Sequence, residues 1–235
     1  MSNRIVLVAG GTGGLGRAVS LAFLQQGATV IVTYRDENEL AELRVLAGSS
    51  SDRLSASATD VTDELAVQKL VDRILAEQSH LDVLVNTVGG YVGGPKLWEL
   101  DSKTLDRMFS LNLRSGFALA KSAVRPMLKQ KSGSIVNVAA KAAFDHAAGA
   151  SAYAASKAAA VALMDSLAAE VRGTGVRVNS ILPSIIDTPI NRKAMPNAPF
   201  DLWPKPEEIA RVILFLASEE GRVIHGAAIP VYGNS

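Results

Sequence analysis

Short apolar runs and longer amphipathic stretches alternate along the whole chain. RIVLVAG (4–10) reads as a buried strand, and the Gly-rich turn after it leads into LGRAVSLAFLQQG (15–27), a helix stopped at Gly27. TVIVTY (29–34) is the next strand and DENELAELRVLAG (36–48) the next helix. A weaker strand, RLSASATD (53–60), precedes DELAVQKLVDRILAEQ (63–78), whose apolar residues recur at helical spacing. LDVLVNTVG (81–89) is a strand running into a loop. LDRMFSLNLRSGFALAKSAVRPMLKQ (105–130) is a long helix, with a bend expected at Pro126 because proline removes one helical hydrogen bond. Strand GSIVNVAA (133–140), the Ala-rich helix ASAYAASKAAAVALMDSLAAEVRG (150–173) and strand VRVNSILP (176–183) follow. Helix KPEEIARVILFLAS (205–218) and strand GAAIPVYG (226–233) complete the series.

Strand–helix alternation with nearly continuous Val/Ile/Leu strands predicts a parallel sheet covered by helices on both faces, with right-handed crossovers. That is a doubly wound α/β fold. No composition shift, repeat or linker divides the chain, so residues 1–235 are expected to form one domain. The one long irregular stretch runs from Pro183 to Pro206. Long loops in compact domains are usually functional lids or disordered. Met195, Phe200 and Trp203 make 184–206 a candidate substrate-covering lid.

Composition narrows the function classes. Hydrophobic residues make up 48% and charged residues 20%, as in ordinary water-soluble domains, and a cytoplasmic setting is the default expectation. A formal net charge of +1 gives no electrostatic support for nucleic acid or membrane partners. No apolar run reaches the roughly 18 residues of a membrane span. The chain has no cysteine, which excludes disulfides, thiolate nucleophiles and zinc–thiolate sites. His80, His146 and His225 are scattered without metal-ligand spacing, so no metal is expected.

Two stretches carry candidate chemistry. In VAGGTGGLGRAV, Gly10, Gly14 and Gly16 lie between the first strand and its helix. Glycines there permit a tight turn and let a pyrophosphate approach the helix N-terminus; a plain tight corner is the alternative. The second strand ends in Tyr34-Arg35-Asp36. An Arg in that place favours a 2′-phosphate, so NADPH is favoured over NADH. Asp36 either accepts from a ribose or caps the helix that follows. The second stretch holds Tyr153 and Lys157, four residues apart and so on one helical face. An ammonium near a phenol favours the phenolate and makes Tyr a usable acid or base.

These features, with Asp60 in TDVTD, Asn86 in VLVNTVG, Asn112 in FSLNLRSG, YAASK and NSILPSIIDTP, occur in the order of the short-chain dehydrogenase/reductase family. The chain resembles that family over about residues 4–232. The resemblance implies a Rossmann-type fold with seven parallel strands, an NAD(P) cofactor and hydride transfer to a small molecule. It implies Tyr153 as proton donor, Lys157 on the nicotinamide ribose and Asn112 on a proton-relay water. Asp60 with Val61 would bind adenine, Asn86 and Gly89 would line the adenosine, and Thr12 and Leu15 belong to the glycine loop. Pro183, Ile186 and Thr188 would meet the nicotinamide end. A homodimer or homotetramer is implied as well.

The sequence departs from the family pattern at one chemically important place. The position that matches the family's catalytic Ser is Ala140, which cannot donate a hydrogen bond. Losing a polarising donor ordinarily lowers the rate by about 10²–10³. One branch, the dihydropteridine reductases, also lacks that Ser. The chain resembles it in VGGYVGG (88–94), AAKAAFD (139–145) and DTPINRKAMPNAPFDLW (187–203). A quinonoid dihydropterin takes hydride into a conjugated imine, building charge on ring nitrogens rather than on one carbonyl oxygen. The expected activity is therefore reduction of such an acceptor. A general carbonyl or 3-oxoacyl reductase and a non-catalytic NADP sensor are the alternatives. Tyr91, Trp98, Ala140 and Met195 are the expected substrate contacts. Lys141 is either a substitute donor or a strand-end Lys in solvent.

Overall fold

Strands form where Val, Ile and Leu run without a polar break, since a strand covered on both faces has no side that needs water. In the computed structural model, which describes residues 1 and 3–235, these strands are β1 (Ile5–Ala9), β2 (Thr29–Thr33), β3 (Leu54–Ser57), β4 (Val83–Asn86), β5 (Gly133–Val138), β6 (Val176–Pro183) and β7 (Ala228–Val231). They pair in parallel in the order β3-β2-β1-β4-β5-β6-β7. The helices between them are α1 (Gly14–Gln25), α2 (Glu37–Ala47), α3 (Glu64–Gln78), α4 (Ser102–Phe109), α5 (Ser115–Gln130), α6 (Ser151–Glu170), α7 (Pro189–Ala194) and α8 (Pro206–Ala217). The doubly wound Rossmann-type fold expected from the sequence is what forms.

Side chains alternate across the sheet. Leu7 of β1 joins Leu84 and Ile135 in one core with Val67, Leu70 and Ile74 of α3, Leu119 and Met127 of α5 and Met164 of α6. Val6 and Val8 face the other core, among Val19 and Phe23 of α1, Leu43 of α2 and Ile213 of α8. The chain moves from β1 outward to β3, then returns to β4 beside β1 on the other side. That reversal opens a crevice at the carboxyl ends of β1 and β4, where ligands of open α/β sheets bind. Among the described residues no helix is long and apolar enough to cross a membrane.

Two expectations are corrected. The helix expected over 105–130 begins earlier, at Ser102, where the Asp101 carboxylate accepts from Thr104 N at 2.8 Å. Its interruption lies at a π turn, Ser110–Arg114, and α5 runs through Pro126 to Gln130. Pro126 is buried, so packing offsets its missing hydrogen bond. The stretch 184–206 is also less irregular than expected, because Pro189 and the Thr188 cap start the short α7. Phe200 and Trp203 rings meet edge-on at 5.1 Å, and Trp203 is buried.

Candidate active site

Gly10 leaves β1 with φ +72°, a conformation side chains rarely adopt. Gly16, in the first turn of α1, comes so near the loop that a Cβ would lie 2.0 Å from Gly10 O. A Cβ on Gly14 would meet Thr188 Cγ2 at 3.0 Å, so the start of α7 lies against the glycine loop. Gly13 caps α1 with no side-chain hydrogen bond, which leaves the first N–H groups available to an anion. Thr12 is buried and its hydroxyl donates to Glu39 at 3.0 Å; Leu15 is buried in the core.

At the end of β2, Asp36 caps α2 by accepting from Asn38 N at 2.8 Å. Of its two possible roles, the capping one is built. Arg35 is exposed and makes no hydrogen bond or ion pair among the described residues. Thr62 holds Asp60 through its hydroxyl at 2.7 Å and its N–H at 2.9 Å. Those bonds, and secondarily the charge of Arg35, keep the Asp60 carboxyl below its ordinary pKa. Val61, beside it, is buried in the core.

Asn86 spends its side chain on structure. Its amide donates to Asn137 Oδ1 at 3.0 Å and its carbonyl oxygen accepts from Val88 N at 3.1 Å, joining the ends of β4 and β5. Gly89 then passes close to two expected site residues: a Cβ there would meet Lys157 Nζ at 2.9 Å and Asn112 Oδ1 at 3.0 Å. Asn112 is buried in the π turn, a helical irregularity often found at functional sites. Its carboxamide accepts from Gly90 N at 2.9 Å and donates to Gly90 O and Ser156 Oγ, each at 3.0 Å. Ser156 Oγ in turn donates to Tyr153 O at 2.8 Å. Asn112 thereby clamps the loop after β4 to α6.

Tyr153 and Lys157 share a face of α6, as their spacing predicts, but Lys157 Nζ points to the end of β5 and donates to Val138 O at 3.0 Å. Burial pushes the Lys157 ammonium down to about 8. Burial, with a smaller contribution from Tyr91, pushes the Tyr153 phenol up to about 12. The expected lowering of the phenol pKa by its lysine is thus not built into the protein alone: loss of hydration dominates, and the ammonium is engaged elsewhere.

Tyr153 faces a cavity of about 500 Å³. Tyr91, Ala139, Ala140, Pro183, Ile186 and Met195 line it, and the Tyr91 ring stands edge-on to Tyr153 at 5.0 Å. The cavity thus gathers Tyr91, Ala140 and Met195 of the expected substrate residues. Trp98 is not among its lining residues: it sits on a 3-10 turn, Leu97–Glu99, 78% exposed, with Lys96 Nζ 5.2 Å from its ring. Thr188 caps α7, its hydroxyl accepting from Asn191 N at 3.3 Å. Asn191 also lines the cavity, whereas Arg192 turns away into a two-pronged pair with Asp187. Sequence reasoning missed Ser156, Gly90, Val138 O and Asp145, the last of which also lines the cavity. Of these, Ser156 was findable, since it lies one turn beyond Tyr153.

The fold, with a glycine loop after its first strand and a crevice beside it, is of a dinucleotide-binding kind, and comparison with known proteins places it in a family. The profile of the short chain dehydrogenases matches residues 4–199. The chain is 32% identical to the 3-oxoacyl-[acyl-carrier-protein] reductase FabG of Thermotoga maritima, over 99% of this chain and 98% of that protein. It is also 32% identical to the meso-2,3-butanediol dehydrogenase of Serratia marcescens, over 99% of this chain and 94% of that one. Among solved structures, ElxO with NADP bound superposes with a TM-score of 0.92 at 27% identity, covering 98% of both chains. A short-chain type dehydrogenase/reductase from Mycobacterium ulcerans gives a TM-score of 0.93 at 27% identity, covering 100% of this chain and 90% of that one. The chain belongs to the short-chain dehydrogenase/reductase family of oxidoreductases.

Proposed function

We propose that this protein is an NADPH-preferring reductase of small, flat, conjugated acceptors, a quinonoid dihydropterin first among them. The observation that carries this reading is the wall beside Tyr153. Ala139 and Ala140 line the cavity where a hydroxyl would polarise a ketone, and a methyl group donates nothing. An acceptor that gathers charge over several ring nitrogens has least need of that hydroxyl.

The residues present fit a nicotinamide dinucleotide. Gly10 takes a backbone conformation that favours glycine and Gly16 leaves no room for a Cβ, so backbone N–H groups at the start of α1 would be open to a pyrophosphate. Lys157 has three donors and one protein acceptor, Val138 O, so a ribose diol would complete its shell. Such a cofactor, when bound, supplies the hydride. Tyr153 then gives its proton to the reduced acceptor, Asn112 keeps the loop after β4 in register with α6, and 184–206 covers the substrate and excludes water.

Arg35 is the group that would select the 2′-phosphate. Arg35→Ala is expected to weaken NADPH binding by about 10–100-fold, the worth of a charged hydrogen bond, and to leave NADH binding nearly unchanged. Fluorescence titration with both nucleotides checks this. Equal losses for the two would show that Arg35 does not read the phosphate.

A second reading, a carbonyl or 3-oxoacyl reductase, is favoured by the relationship to FabG of Thermotoga maritima. Ala140→Ser separates the two in steady-state assays. A ketone reductase deprived of its donor should gain on the order of 10²-fold. A pterin-type reductase should change by less than about threefold on its own substrate, a shift well under 1 kcal/mol.

A further inference from the structure

Most of the cavity wall beside Tyr153 is apolar, built from alanines, Pro183, Ile185, Ile186 and Met195. Its uncharged polar groups are largely occupied. Ser184 Oγ bonds Tyr232 O and Ser235 Oγ, each at 2.7 Å, and Asn191 Nδ2 donates to Ile186 O at 2.8 Å. The charged residues of the lining are Lys141 and Asp145, one turn apart on the segment that follows Ala140. Lys141 Nζ stands 3.7 Å from Asp145 Oδ2, beyond hydrogen-bond length. It makes one long bond to Ser235 O at 3.4 Å and lies 5.1 Å from the centre of the Tyr232 ring, which fixes its direction. At least one ammonium donor and both carboxylate oxygens are therefore left for a ligand. The rest of the wall can only shape a ring.

We infer that Lys141 and Asp145 are specificity-determining residues that read an amino-oxo edge of a flat heterocycle, with Lys141 donating to the ring carbonyl and Asp145 accepting from the neighbouring N–H groups. This inference rests on the pterin reading, because a 2-amino-4-oxopyrimidine edge presents that acceptor–donor pair. It goes further in naming what orients the ring. An apolar slot alone would accept the ring in either sense, whereas a cation and an anion side by side accept it in one. Neither residue performs a chemical step.

The test is steady-state kinetics of quinonoid dihydropterin reduction at saturating NADPH for the wild type, Lys141→Met, Lys141→Arg and Asp145→Asn, with NADPH affinity measured in parallel. The expected result is a KM raised by about tenfold or more in Lys141→Met and Asp145→Asn, the worth of one hydrogen bond to a charged group. The turnover number and NADPH affinity should stay within about threefold, and Lys141→Arg should recover most of the KM. An unmoved KM in both variants overturns the inference and leaves the pterin reading standing. A fall in kcat together with weaker NADPH binding also overturns it, by showing a structural role. Absence of dihydropterin turnover in the wild type overturns the pterin reading and this inference with it.

Discussion

Tyr153→Phe is expected to lower kcat by about 10²–10⁴-fold, the usual contribution of a positioned acid or base, and to leave the melting temperature and NADPH affinity unchanged. The ring that packs edge-on against Tyr91 is retained, and the change removes one hydroxyl from the cavity wall. The direction of its pKa matters for the sense of the reaction. Burial holds the phenol near 12, so it is protonated throughout the neutral range and is ready to give a proton to a reduced acceptor. Reduction should therefore keep its rate from neutral pH upward until other groups titrate. Oxidation, which needs the phenolate, should climb with pH. Steady-state rates in both directions from pH 6 to 10 check the pair of statements. A kcat that survives the substitution would move the proton source away from Tyr153.

The fold was readable because the parallel sheet imposes a simple pattern. β1, β2 and β4 are buried on both faces, so their apolar runs are unbroken, and Gly10 marks the corner after β1. Tyr153 and Lys157 were readable for a related reason, since helical spacing alone places them on one face. Other features depend on contacts distant in sequence. The π turn at 110–114 accompanies the clamp of Asn112 on Gly90 and Ser156, residues 22 and 44 positions away. A local pattern of apolar spacing does not encode such a clamp, so the bend was expected at Pro126 instead. Asp36 offered two roles, and the choice of helix cap follows from the geometry at the start of α2. Tyr91 and Trp98 sit in the same loop with similar chemistry and are both exposed, and the fold sets only Tyr91 against Tyr153 at the cavity wall. The partner of Lys157 was hidden in the same way. Val138 O lies on another element, 19 residues away, and captures the ammonium.

Lys157→Met should abolish turnover and, at neutral pH, make the cofactor-free protein more stable. Burial lowers the folded-state pKa of Lys157 from 10.5 to about 8. Below pH 8 the lysine is charged in both folded and unfolded chains, and the folded state carries the full penalty of a poorly hydrated ammonium. Between about pH 8 and 10.5 the unfolded chain binds the extra proton, so stability rises with pH across that window. Above it both states are neutral and the penalty is gone. The shift is equivalent to about 3 kcal/mol, and the orphaned Val138 carbonyl takes back about 1, which leaves Lys157→Met ahead by about 2 kcal/mol at pH 7. The wild type should recover that difference when NADPH is bound if, as proposed, ribose hydroxyls then accept from the Lys157 ammonium. Denaturant unfolding at pH 7, 9 and 10.5, with and without NADPH, reads all of this. The expected pattern is a variant that is more stable than wild type at pH 7, loses its lead by about pH 9.5, falls behind by about 1 kcal/mol at pH 10.5, where the neutral amine still donates to Val138 O, and gains less from NADPH. A variant less stable than wild type at pH 7 would show that Val138 O and the surrounding dipoles already compensate the charge. Lys157 would then be a structural anchor of α6 on β5, and its link to the cofactor would need a different argument.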